Sequence, residues 1–201
     1  PGYLADFAVI DNFKDFNVEM VFKKGVLYWN NGELRDFDAP QIEEYLDKRA
    51  HDTFHVATLT PDDFRDTRQR GVLGMVPGEI ITTDNGYADH VDLEKDILKI
   101  AVVERHKGTH HIGLGYIQGY GLRSGAVATS ISHDSHNIIV VGTNSADMAF
   151  AANYIVEHHG GIVVVENGVV KGSVVLEIAG IMSDRPLTEV NDQLEAAKAA
   201  A

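Results

Sequence analysis

Apolar positions along the chain fall into short runs bounded by Gly, Asn, Asp or Pro, a strand-rich pattern. Residues 3–10, 18–22 and 26–29 read as strands, with Lys24-Gly25 turning between the last two and Asn31-Gly32 following. Residues 36–40 read as a linker, after which the pattern changes. Ile42, Tyr45 and Leu46 give residues 41–49 the spacing of a short helix. Residues 54–59 predict a strand, and 62–66 a single helical turn behind Thr60-Pro61. Residues 71–83, rich in Val, Ile and Thr with Gly and Pro interruptions, predict a bent strand or two short ones. Residues 97–103 predict a buried strand, whereas three glycines within 112–120 predict a loop or short helix. Strands are expected over 126–131 and 138–141. A helix is expected over 145–159, capped by Asn144 or Ser145, with Met148, Ala152, Ile155 and Val156 inward and Gly160-Gly161 as its stop. Residues 162–166 and 169–171 predict a hairpin around Asn167-Gly168, and 174–178 a further strand. The last helix starts near Pro186 or Leu187 and runs through Val190, Leu194 and Ala197. Strands and helices are interspersed but many strand links are short, which predicts an α+β fold rather than a doubly wound sheet.

Composition narrows the classes. The apolar fraction of 44% and charged fraction of 23% are those of a soluble globular protein. No run approaches the roughly 18 apolar residues of a membrane span, and no secretion signal opens the chain, so a cytoplasmic location is expected. A net charge of −13, spread along the length, repels phosphate backbones and argues against nucleic-acid binding. The absence of cysteine excludes disulfides, thiolate metal sites and the zinc nucleobase deaminases, whose signature needs cysteine ligands. Residue 1 is proline, from which a processed or truncated terminus, and a longer parent protein, are expected.

The densest chemistry lies between two strands. His133, Asp134, Ser135, His136 and Asn137 sit together after the run ending at Ile131 and before the one starting at Ile138. A hairpin loop needs Gly, Asn or Asp for its backbone angles but not two imidazoles. Histidine titrates near neutrality and a carboxylate can fix its tautomer, so these residues suit acid–base or ligand-orienting work. The alternative is a corner whose side chains satisfy backbone groups at strand ends. Glu104, Arg105 and His106 form a second cluster after the 97–103 strand, with a surface salt-bridge group as its plainer reading. Among the ten histidines no two are separated by a single residue, and no His-Glu-x-x-His is present, so no metal site is expected within this chain. The run from Gly113 to Gly119 misses the dinucleotide fingerprint, its third glycine being displaced. No P-loop or Gly-x-Ser-x-Gly elbow occurs.

Four ordered stretches carry a family resemblance. They are Gly78-Glu-Ile-Ile-Thr82, Asp96-Ile-Leu-Lys-Ile-Ala-Val-Val-Glu-Arg-His106, Ser132-His-Asp-Ser-His-Asn-Ile-Ile-Val-Val-Gly-Thr143 and Ala179-Gly-Ile-Met-Ser-Asp-Arg-Pro186. The chain from Gly71 to Pro186 resembles the C-terminal region of the bacterial and archaeal adenine deaminases of the amidohydrolase superfamily. The opening Pro1-Gly-Tyr-Leu-Ala-Asp-Phe-Ala-Val-Ile-Asp11 resembles the point where an amidohydrolase chain leaves its barrel and re-enters a small β-sandwich. The resemblance implies residues 1–38 as a remnant of that sandwich and 39–201 as the α+β C-terminal domain. For the complete enzyme it implies a hydrolase of purine salvage in which hydroxide on manganese or iron attacks C6 of adenine, giving hypoxanthine and ammonia.

The family's metal ligands lie on a (β/α)₈ barrel of about 250 residues, beginning with a His-x-His that this chain lacks. The chain alone is therefore expected to bind no cofactor and to be inactive. Its implied partners are the barrel of the same enzyme and further copies in a homo-oligomer, with neither nucleic acid nor membrane. The His133–Asn137 corner and Glu104–His106 are the candidates to close over the barrel mouth, near substrate. A rival expectation is a purely structural or oligomerising module exposing an apolar patch. An independent small-ligand-binding domain is a third. The strands of residues 3–29 would then lack their sandwich partners and expose sheet edges.

Overall fold

The computed structural model describes residues 2–36 and 41–201. The chain divides into two compact units, Pro1–Ile42 and Glu43–Ala201. The boundary expected between residues 38 and 39 lies outside the described residues.

The first unit is an antiparallel sheet of β1 (Phe7–Ile10), β2 (Val18–Lys23), β3 (Val26–Asn30) and β4 (Glu33–Leu34), in that order. Lys24 and Gly25 both take positive φ (51° and 76°), the requirement of a tight turn whose twist matches its strands. No described residue of this unit is buried, so its one-sided apolar pattern has no second layer within the unit.

The second unit is built on an eight-stranded sheet. Its strands are β5 (Arg70–Met75), β6 (Thr82–Ala88), β7 (Ile97–Val103), β8 (Ile112–Gln118), β9 (Ala126–Thr129), β10 (Ile138–Gly142), β11 (Gly161–Glu166) and β12 (Val169–Val175). The spatial order is β12-β11-β9-β10-β7-β8-β5-β6, antiparallel throughout except for the parallel β5/β8 pair. With α1 (Glu44–His51), α2 (Ser145–Glu157), α3 (Leu187–Ala200) and a 3₁₀ turn at Pro61–Phe64, this is the α+β fold the pattern predicts.

Helix α2 packs on one sheet face. Met148, Ala151, Ala152 and Ile155 meet Ala126, Ala128, Ile138 and Val140, all but completely buried. Each large member contributes roughly 1.5–3 kcal/mol by leaving water, and the alanines let helix and sheet approach. Asn144 caps the helix by accepting from the Asp147 amide at 2.8 Å. The buried Asp147 carboxylate in turn accepts from the Asn167 and Gly168 amides, tying the β11–β12 turn to the helix start. On the opposite face α3 covers only the β11–β12 end, packing Val190, Leu194 and Ala197 against Ile162, Val174 and Leu176. No helix among the described residues is long and apolar enough to cross a membrane.

Three expectations are corrected. The glycine-rich 112–120 region is not a loop or helix but β8, because Ile112, Leu114 and Tyr116 alternate inward and its backbone is paired on both sides, to β7 and β5. Residues 54–59 join no ladder: His55 N–H donates to the Arg105 carbonyl at 2.8 Å, and Leu59 exchanges bonds of 2.9 and 2.8 Å with the Asn153 amide side chain. The two strands expected over 169–171 and 174–178 are one, β12, since Gly172 is not a break. A Cβ there would stand 2.8 Å from the Ala197 Cα, so the glycine permits close approach of α3.

Candidate functional site

The β7–β8 and β9–β10 connections emerge at one end of the sheet, because β7 and β10 are antiparallel neighbours with Val103 opposite Ile138. That register sets Glu104–His106 beside the His133–Asn137 corner. Three contacts join them: His106 Nε2 meets the Ser135 carbonyl at 2.8 Å, Asn137 Oδ1 accepts from the Arg105 amide at 3.4 Å, and the Arg105 guanidinium reaches the His136 carbonyl.

Arg105 organises this end from within. Its side chain is 2% exposed. Nε donates to the His136 carbonyl at 2.5 Å, one terminal nitrogen to the Thr53 carbonyl (2.8 Å) and hydroxyl (3.1 Å), and the other to the Ala179 carbonyl at 2.9 Å. The guanidinium carbon lies 4.2 Å from the Phe54 ring centroid, a cation–π geometry. Burial pushes its pKa below the ordinary arginine value, yet an arginine stays charged at any working pH. Arg105 thus clamps the 53–54 segment, the 132–137 corner and the Ala179 turn. Its donors are spent on the protein itself.

Glu104 does local work. One carboxylate oxygen accepts from the His106 (2.6 Å) and Lys107 (2.9 Å) amides, the other from the Thr109 hydroxyl (2.8 Å) and amide (3.3 Å). The Thr109 hydroxyl first, then these amides, hold its pKa down to about 2 from the ordinary 4.5. A depressed carboxylate supports the fold fully above its unfolded value, and that support drains away as pH falls from 4.5 toward 2. Carboxyl-detected NMR titration should therefore give a Glu104 midpoint near 2, and Thr109→Val should move it upward. A midpoint unchanged by that substitution would remove Thr109 as the chief cause.

The corner itself is open. His133 and Asp134 are 89% and 86% exposed and pair through His133 Nδ1 and Asp134 Oδ1. A carboxylate on Nδ1 favours the tautomer protonated there and makes Nε2 the acceptor. The His136 ring stands edge-on to His133 at 6.3 Å, its backbone N–H donates to the Ser132 carbonyl at 2.5 Å, and its Nδ1 is buried with no hydrogen-bond partner among the described residues. Ser135 Oγ accepts from the Asn137 amide at 3.4 Å. An exposed, carboxylate-oriented imidazole on a loop clamped from beneath is suited to proton exchange or to hydrogen bonding a polar ligand.

All eight sequence candidates thus lie on two adjoining loops, with His133, Asp134, Ser135 and His106 outward and Arg105 inward. Thr53, Ser130 and Gly180 escaped the reading of site residues. Ser130 Oγ, fully buried, donates to the Gly180 carbonyl at 2.5 Å and accepts from the Gly161 amide at 2.8 Å. Ser130 lies in the strand expected over 126–131 and Gly180 in the stretch from Ala179 to Pro186 that carries the resemblance, whereas Thr53 carries no sequence signal. Among the described residues no three His, Asp or Glu side chains gather as a metal site needs.

Comparison with known proteins adds an independent line. Residues 78–201 match the family model described as the adenine deaminase C-terminal domain. The chain is 37% identical to the adenine deaminase of Lysinibacillus sphaericus over 96% of its own length and 35% of the relative's. It is 39% identical to that of Petrotoga mobilis over 97% of its length and 35% of the relative's. It is 37% identical to adenine deaminase 1 of Rhizobium etli over its full length and 36% of the relative's. The chain therefore spans about a third of the length of the relatives it matches.

Proposed function

The chain belongs to the adenine deaminase C-terminal domain family, and from that premise we propose that it serves a complete enzyme hydrolysing adenine to hypoxanthine and ammonia. In that reaction water oxygen replaces the amino group at C6 and the amino nitrogen leaves as ammonia. The chemistry that activates the water belongs to the remainder of the enzyme. This chain contributes the clamped corner: His133, with Asp134 on its Nδ1, faces the mouth of the active site, orients polar groups there and helps to exclude bulk water.

The observation that carries the reading is the contrast within the corner. Its support is deeply buried and fully engaged through Arg105, while its imidazole and carboxylate are exposed and bind little else of this chain. A corner built only to end two strands would turn those groups onto the backbone.

Replacing His133 and His136 together by Ala in the complete enzyme is expected to lower kcat/KM by about tenfold or more, or ~1.4 kcal/mol in transition-state stabilisation. The melting temperature should shift by only about 2–4 °C. A large loss of melting temperature with kcat/KM intact would make the two histidines architectural.

A further inference from the structure

The sheet face away from α2 carries a concavity of about 340 Å³. Its floor is set by register: Val127, Val141 and Ile100 form one cross-strand row over β9, β10 and β7, with Thr129 and Ile139 in the next. Gly115 and Gly113 continue these rows onto β8 without side chains; a Cβ at either would meet nothing closer than 3.6 Å. α3 covers β11 and β12, and Val91, Tyr120 and Leu122 roof the end near Leu98 and Ile117. From β9 to β8 the floor spans three strand spacings, about 14 Å, enough for a helix of roughly 10–12 Å; Val127, Val141 and Ile117 are buried at its base, while Ile100, Thr129 and Ile139 stay half-buried. The rim is largely apolar as well, with Ile80 102% exposed, Ile81 62% and Met75 45%, and Glu79 and Thr82 as its polar members.

We infer that this trough seats an apolar-faced, helix-wide segment of the remainder of the adenine deaminase polypeptide. Exposed aliphatic rim residues around an apolar floor mark a protein interface rather than a small-molecule pocket. Relatives extend over nearly three times the length matched by this chain, so in them the occupant would be covalently tethered. A second copy would bring another −13 charge, and another Glu79 on the rim, to the same face. Thr129 and Ile139 end the trough and also flank the His133–Asn137 corner in the chain, so a segment seated here carries the corner to the region it serves.

The inference rests on the proposed function, and its test separates the two. The chain has no cysteine, so Ile80→Cys supplies a single thiol, with Leu187→Cys, 83% exposed at the start of α3, as the control. Maleimide labelling would be timed in the chain alone and after the amino-terminal two-thirds of the Petrotoga mobilis relative is added, both as a separate polypeptide and joined ahead of the chain. Labelling at 80 should slow by about tenfold or more while labelling at 187 changes little, and Ile80→Asp with Ile81→Asp should abolish the association of the separate pieces. Unchanged labelling at 80, failure of the pieces to associate, or protection that rises with the concentration of the chain alone would overturn the inference. A joined enzyme that turns over adenine yet labels freely at 80 removes only the docking; one that protects 80 without turnover removes only the function.

Discussion

Arg105→Met should cost roughly 3–5 kcal/mol of unfolding free energy, measured by urea denaturation of the chain. The substituted side chain fills similar space but leaves the carbonyls of Thr53, His136 and Ala179 buried without the donors that now reach them. Each such loss is worth roughly 1–3 kcal/mol, and the contact with Phe54 goes too. Arg105→Lys should fall between wild type and Met, because one ammonium cannot span three segments as a planar fork does. The same change should quicken amide exchange at residues 133–137, since the His136 carbonyl is one of the three anchors. A destabilisation below about 1 kcal/mol would show the clamp to be a surface-type contact despite its burial.

Gly161→Ala should be more severe. Gly161 takes φ +130°, and a Cβ there would lie 1.9 Å from the Val174 carbonyl oxygen, inside the β11–β12 ladder. Relief requires separating the strands and also disturbs Ser130, which bonds both the amide and the carbonyl of this residue. A loss above about 4 kcal/mol is expected, enough to leave little folded chain. Gly168→Ala is the matched control: φ is +72° but nothing lies within 4 Å of its Cβ, so the cost should stay near 1–2 kcal/mol, the left-handed penalty alone. Equal effects at the two positions would remove close strand approach as the cause. Calorimetric melting of the two variants makes the comparison.

Much of the fold was legible because local rules sufficed for it. The Asn144 cap, the Asn167-Gly168 turn and the β-branched runs of β7 and β10 each carry a short-range cause. β8 is not legible locally because Gly113 and Gly115 look like loop residues until the row they continue is known, and that row is set by β7 and β10, of which β10 is distant in sequence. The chemistry of the two polar clusters could be read from residue types, but their adjacency could not: it follows from the pairing of Val103 with Ile138. Nor could sequence separate the inward member from the outward ones. Glu104, Arg105 and His106 are consecutive charged or polar residues, yet only Arg105 turns beneath the corner, where carbonyls from three segments converge.

The most direct test of the account is adenine-dependent ammonia release, measured on this chain loaded with manganese or iron and again after the chain is joined to the amino-terminal remainder of an adenine deaminase. The account predicts no release above background from the chain alone and sustained turnover from the joined enzyme. Turnover by the chain alone would contradict it.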